Sequence, residues 1–186
     1  MDKVQIRQRA LQQRNSLSNV DYVVLNYKLL EGFKALDFSK INSIHVFLPM
    51  LAKKEPNTFL LIEWLQENYP QIEIIVPKAD FDSSLMRSYQ YLSKQDLAFN
   101  SYHIPEPNHA QETTTIPDIV LVPLLAFDLN GHRVGYGKGF YDRFLQNTTA
   151  QKIGLSFFDA VTEINDVHLN DIRLDKCITP SGIIDF

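Results

Sequence analysis

The chain has 186 residues, 45% of them apolar and 22% charged, the composition of a folded globular protein. Its 18 Lys and Arg against 22 Asp and Glu leave a net charge of −4, which excludes a surface built as a whole to neutralise nucleic-acid phosphates or anionic lipid; a bound anion must meet a local basic cluster. The lone cysteine, Cys177, excludes a disulfide framework or cysteine zinc site within one chain and accords with a reducing, cytoplasmic setting. Met1 to Arg7 lacks the apolar core of a signal peptide, and no apolar run approaches the about 18 residues of a membrane span. The length favours one domain over 1–186, with neither nucleic acid nor membrane as partner, and a monomer, since periodicity shows no exposed heptad.

Val4, Ala10 and Leu11 mark a short first helix, and Ser18 with Asp21 resembles a capping box that opens a second. In the second helix Val20, Val23, Val24, Tyr27 and Leu30 recur at helical spacing and predict one buried stripe running toward Leu36. Residues 44–49 form a short apolar strand closed by Pro49, with His45 inside it as a satisfied core residue. Asn57 is placed to cap a third helix whose Leu60, Leu61, Trp64 and Leu65 share a core face, and residues 72–77 give a second strand, completing a βαβ unit.

The polar stretch Ser101–Pro117 reads as a long surface loop, with Ile104 to Pro107 stiffened by two prolines and lining the site. Residues 118–123 are a third apolar strand, Phe140 to Leu145 a helix and residues 153–157 a fourth strand. Asp171, Arg173 and Asp175 alternate as along a strand, a pattern that a solvent-facing stripe also produces. Strands alternating with helices predict an α/β fold, a three-layer α/β/α arrangement with a mostly parallel central sheet and ligands at the strands' carboxyl ends.

Four of the seven glycines, Gly131, Gly135, Gly137 and Gly139, fall within nine residues between a buried strand and a helix. Bare backbone there lets successive N–H groups approach an anion, the following helix adds the positive end of its dipole, and Arg133 and Lys138 add full charges. Gly139 follows Lys138 where a Walker loop carries Ser or Thr, and the Gly-x-Gly-x-Gly spacing is not the dinucleotide fingerprint, so neither ligand can be borrowed. A flexible glycine-rich hairpin with solvated charges is the plain alternative to an anion site. Asp142, four residues past Lys138, is either a helix-dipole partner or a Mg²⁺ ligand beside phosphate.

The segment Phe127-Asp128-x-x-Gly131-x-Arg133-Val134-Gly135-Tyr136-Gly137-Lys138-Gly139-Phe140-Tyr141-Asp142-Arg143 resembles the signature of the 5-formyltetrahydrofolate cyclo-ligase family. Lys3 to Arg7 resembles that family's N-terminal Lys-x-x-x-Arg, Leu48 with Glu55 to Thr58 its substrate segment, and Asp171 to Asp175 its C-terminal segment. The resemblance implies an ATP-dependent ligase that converts 5-formyltetrahydrofolate to 5,10-methenyltetrahydrofolate with release of ADP and phosphate. It implies that Lys3, Arg7, Arg133, Val134, Gly135, Tyr136, Gly137, Lys138, Gly139, Phe140 and Tyr141 bind ATP, with Lys138 and Arg133 countering charge on the transferred group. Leu48, Glu55 and Tyr136 to Phe140 are implied folate contacts, and Asp142 and Asp171 Mg²⁺ ligands. The interval from Leu48 to Glu55 is longer than in many members, and Phe140 replaces a second Tyr, keeping the ring and losing the hydroxyl.

Without the resemblance Lys3 and Arg7 read as solvated charges, and none of the five histidines has paired metal-ligand spacing. A non-catalytic folate or nucleotide sensor is the competing function, though it would tolerate loss of Lys138 and Asp142, both present here. A sugar-phosphate isomerase or CoA transferase of similar architecture does not account for the whole glycine segment.

Overall fold

A computed structural model describes residues 1–186. The chain opens with α1 (Lys3–Asn15) and α2 (Asn19–Lys34), then runs through β1 (Ser43–His45), α3 (Thr58–Asn68), β2 (Glu73–Asp80) and β3 (Leu85–Gln90). Two short strands, β4 (Leu97–Phe99) and β5 (Pro105–Pro107), precede β6 (Ile119–Val122) and the small hairpin β7 (Ala126–Phe127) and β8 (Arg133–Val134). The helix α4 (Phe140–Leu145) leads to β9 (Gln151–Leu155), and β10 (Lys176–Thr179) with β11 (Gly182–Asp185) closes the chain.

Seven strands form the main sheet in the order β11-β10-β9-β6-β1-β2-β3. The five inner strands run parallel, and antiparallel partners β3 and β11 close the two edges. From β1 the chain builds outward to β2 and β3, then returns to β6 on the other side of β1 and builds the opposite way. Crevices for ligands open at such a reversal, beyond the carboxyl ends of the strands.

Both sheet faces are covered, as continuous apolar strands require. Ile119 and Leu121 of β6 pack with Leu29 and Phe33 of α2 and Leu61 and Ile62 of α3. Val120 and Val122 point the other way, toward Leu145 of α4, Leu174 and Cys177. A third cluster, Ile6, Ala10, Leu125, Ala126, Val134 and Ile164, seats α1 on the β7–β8 hairpin.

Several elements depart from the sequence-based expectation. On α2, Val20, Val23, Val24 and Tyr27 are exposed, and of that stripe only Leu30 is buried; the helix buries Asn26, Leu29, Leu30 and Phe33 instead. Apolar residues cover two adjacent stripes of this helix, and the sheet took the one carrying the larger Leu29 and Phe33. Val4 of α1 is likewise exposed, while Ile6 and Ala10 are buried.

Asn57 precedes α3 without capping it; its amide donates to the Asn26 carboxamide at 2.6 Å, which ties α2 to the start of α3. Ser18 does cap α2, accepting from the Asp21 amide at 3.0 Å. The 101–117 stretch contains β5, all three residues of which are buried, so it is more than a surface loop. Residues 171–175 are not a strand: they cross the glycine segment, where the Leu174 amide donates to the Gly131 carbonyl at 2.8 Å. His45 is buried but not satisfied, since neither ring nitrogen has a partner. It stacks obliquely on Phe144, with centroids 4.8 Å apart.

Candidate active site

Asp128 builds the turn that leads into the glycine segment. Its carboxylate is fully buried and accepts from the amides of Asn130, His132 and Ile164 at 2.9, 2.9 and 3.1 Å. Three backbone donors hold the β7–β8 turn rigid, so β8 delivers Arg133 and Val134 in a fixed orientation. Val134 points into the α1 cluster, which leaves only its backbone for a ligand. Gly137 and Gly139 then take positive φ, +89° and +68°, a backbone conformation that residues bearing a Cβ rarely adopt.

At Gly137 the requirement is also spatial, because a Cβ there would sit 3.2 Å from the Arg7 guanidinium. Arg7 Nε donates to the Gly135 carbonyl at 2.9 Å, so α1 lies directly against the loop. Lys3, one turn earlier, pairs with Asp171. The segment around Asp171 thereby joins α1 and the glycine loop in one cluster.

Arg133 is nearly buried, donating to the Ile172 carbonyl and, at 2.7 Å, to Asp142 Oδ1. Burial lowers its affinity for a proton and the neighbouring Asp142 carboxylate restores part of it. Arg133 therefore braces Asp142 against the C-terminal segment, and its charge is already half-answered. Lys138 differs: it is exposed, and its side chain makes no ion pair. It is the uncommitted cation of the loop.

The expected dipole contribution is small, because α4 has only six residues. Positive charge at this site rests on Arg7, Lys138 and Arg133. At the start of α4 Phe140 packs edge-on to Phe81, with centroids 5.2 Å apart, and Arg143 ties the Lys138 carbonyl at 2.7 Å to the Ser84 carbonyl at 2.8 Å. The tip of the β2–β3 hairpin is thus held against the loop. Tyr141 is pushed well above the ordinary phenol range by burial and by the Glu55 carboxylate, and its hydroxyl has no partner.

Leu48 and Glu55 arrive from the segment after β1, and both are buried. The added length between them is taken up by a 3₁₀ turn at Leu51–Lys53 and a left-handed Lys54, φ +49°. Glu55 then folds back, its Oε2 accepting from the Met50 amide at 2.7 Å and its Oε1 from the Tyr136 hydroxyl at 2.7 Å. Burial and Glu55 raise the Tyr136 phenol well above its usual range. Arg14 also joins here, donating to the same hydroxyl. Arg14 belongs to no motif in the sequence, although its spacing from Lys3 and Arg7 places it on their helix face.

Asp142 and Asp171 lie on either side of the Arg133–Ile172 contact. Asp142 uses Oδ1 toward Arg133 and the Ile172 amide, Asp171 uses Oδ2 toward Lys3 and the His168 amide, and the second oxygen of each accepts nothing. Burial opposes ionisation of Asp171, but Lys3 and the His168 amide outweigh it and hold the carboxyl below its usual range. Two hard oxygen donors suit a divalent cation that keeps most of its water or shares phosphate oxygens. No group of three or more potential metal ligands occurs in the chain. Cys177, buried in the sheet, has its thiol pushed well up by burial and is no nucleophile.

Comparison with known proteins gives a consistent result. Residues 1–180 match the model of the 5-formyltetrahydrofolate cyclo-ligase family. The 5-formyltetrahydrofolate cyclo-ligase of Mycoplasma pneumoniae is 31% identical over 186 residues, covering 95% of this chain and 100% of the relative. The Escherichia coli enzyme of that name is 28% identical over 149 residues, 76% of this chain and 80% of its own. The NMR structure of Aquifex aeolicus 5,10-methenyltetrahydrofolate synthetase superposes with a TM-score of 0.84 at 27% identity, covering 100% of this chain and 93% of that one. The Mycoplasma pneumoniae 5,10-methenyltetrahydrofolate synthetase structure gives 0.73 at 26% identity, covering 96% and 98%. With the same mostly parallel sheet and a family match across nearly its whole length, the chain is an enzyme of the ligase class and belongs to the 5-formyltetrahydrofolate cyclo-ligase family.

Proposed function

We propose that the enzyme closes 5-formyltetrahydrofolate to 5,10-methenyltetrahydrofolate at the expense of ATP, with ADP and phosphate released. The formyl group on N5 is an amide, and direct attack by N10 would have to expel an oxide-like oxygen. Attack of that formyl oxygen on the γ-phosphorus forms an O–P bond and breaks the bond to ADP. The N10 lone pair then adds to the activated carbon, its proton passes to water, and the C–O bond breaks with phosphate as leaving group.

Such chemistry asks the protein to position reactants and balance charge. The observation that carries the reading is the convergence of α1, the glycine loop and the Asp171 segment: Arg7 on Gly135 and Lys3 on Asp171 gather the cations around one stretch of bare backbone. Lys138 is the group free to follow the moving phosphoryl, and Arg133 holds Asp142 in place. Leu48 and Phe140 supply apolar walls for the reduced pterin, and Glu55 supplies a carboxylate to accept from its ring N–H groups. The unengaged oxygens of Asp142 and Asp171 would hold Mg²⁺. When bound, that ion neutralises charge on the phosphate oxygens.

The test mixes purified protein, MgATP and 5-formyltetrahydrofolate and follows methenyltetrahydrofolate by absorbance alongside phosphate release. One phosphate per product is expected, with no product when ATP is omitted. ATP-independent product, or none under any condition, overturns the reading.

A further inference from the structure

The basic stripe of α1 does not end at Arg7. Arg14 lies about two turns further along, on the same face of the helix. Unlike the cations before it, Arg14 is only 3% exposed. A buried cation with no carboxylate in direct contact is costly and calls for an explanation.

Its one side-chain hydrogen bond goes to the Tyr136 hydroxyl, and its Cζ lies 5.6 Å from the centre of that ring. The same hydroxyl donates to Glu55 Oε1 at 2.7 Å. Arg14 and Glu55 therefore face each other across a single phenolic oxygen. Glu55 is anchored elsewhere too, with Oε2 on the Met50 amide and its carbonyl on the Tyr22 hydroxyl, each at 2.7 Å. If Arg14 served only to close the end of α1, its N–H groups would reach backbone carbonyls. They reach none, and Nε is left without a partner.

Guanidinium groups only donate, so the Tyr136 oxygen accepts from Arg14 and its own proton is committed to Glu55. The direction of that proton fixes the carboxylate's rotation. We infer that Arg14 is a positioning residue for folate recognition, acting through Tyr136 to orient Glu55 toward the ring N–H groups of the reduced pterin. The inference rests on the proposed function. It assigns α1 a double duty, with Lys3 and Arg7 at the nucleotide end and Arg14 at the pterin end.

Initial rates with wild type, Arg14→Met, Arg14→Lys, Tyr136→Phe and the double variant Arg14→Met/Tyr136→Phe test this, varying each substrate while the other saturates and recording thermal midpoints. KM for 5-formyltetrahydrofolate should rise about 10- to 100-fold in Arg14→Met and in Tyr136→Phe, the worth of a hydrogen bond to a charged group, while in Arg14→Met KM for MgATP changes less than about 2-fold. The double variant should be no worse than either single one, and Arg14→Lys should recover part of the loss. Equal rises in both KM values in Arg14→Met, an unchanged folate KM, or multiplicative losses in the double variant overturn the inference. If Arg14→Met does not fold, Tyr136→Phe and Arg14→Lys carry the same comparison, and an unchanged folate KM in Tyr136→Phe is then decisive against it. Turnover by wild type separates this outcome from failure of the proposed function, because a wild type that forms no product withdraws both.

Discussion

Lys138 and His45 are opposites at the level of the single residue. Lys138 is exposed and its ammonium makes no hydrogen bond or ion pair, so truncating the side chain changes charge with little change in packing. Lys138→Ala should lower kcat about 100-fold or more while moving the thermal midpoint by less than about 1 °C; parallel losses of turnover and stability would make it a structural lysine. His45 is wholly buried with two orphaned nitrogens, and burial lowers its pKa to about 3. The unfolded chain takes up that proton near pH 6.5, so the native state binds fewer protons between the two values. Stability is then intact above about pH 6.5 and falls by about 1.4 kcal/mol for each unit as pH drops toward 3. His45→Leu should remove this slope, retaining about 2 kcal/mol more of its neutral-pH stability at pH 5 than wild type does, by urea titration at the two pH values.

Among the elements, the β7–β8 hairpin is the one on which the site depends most. Its turn rests on one buried carboxylate, Asp128, with three amide donors. Asp128→Ala strands all three, and the expected cost is about 2–4 kcal/mol, measured by denaturant titration, with activity lost in proportion to the unfolded fraction. At the other side of the loop, Arg143 spans the Lys138 and Ser84 carbonyls and covers the Phe140 ring. Arg143→Ala should leave the thermal midpoint within about 1–2 °C of wild type, since these contacts are exposed, yet speed proteolytic cleavage at residues 80–84 several-fold. Unchanged cleavage would show that the hairpin tip is held by the Phe81 contacts alone.

For the whole molecule, the first and last segments of the chain meet at the site: Lys3 pairs with Asp171, and Leu174 bonds back to Gly131. A ligand bridging α1 and the glycine loop should therefore protect both ends together. With MgATP at about 100 times its dissociation constant, stability should rise by about 2.7 kcal/mol, and amide exchange should slow in residues 3–15 and 168–174 alike. Protection confined to the glycine loop would place the nucleotide away from α1. Asp171 adds a pH term, because its folded-state pKa is depressed: its contribution is present above the ordinary carboxylate pKa and is lost as pH falls through the lower, folded value.

The parallel sheet was legible in the sequence because buried strands read as short apolar runs, and the glycine segment because four glycines in nine residues have few structural uses. Periodicity placed the α4 boundaries at Phe140 and Leu145, where the structure has them. The same signal failed on α2, whose apolar residues cover two adjacent stripes; only docking against the sheet selects Leu29 and Phe33 over Val23 and Val24. The chain by itself thus determined the fold class and singled out the glycine loop as a candidate anion site, since both follow from local composition, while the chemistry proposed for that loop enters through the family resemblance. Tertiary structure alone decided that Arg14 meets Tyr136 and Glu55, because hydrogen bonds between residues more than eighty positions apart leave no trace in local spacing.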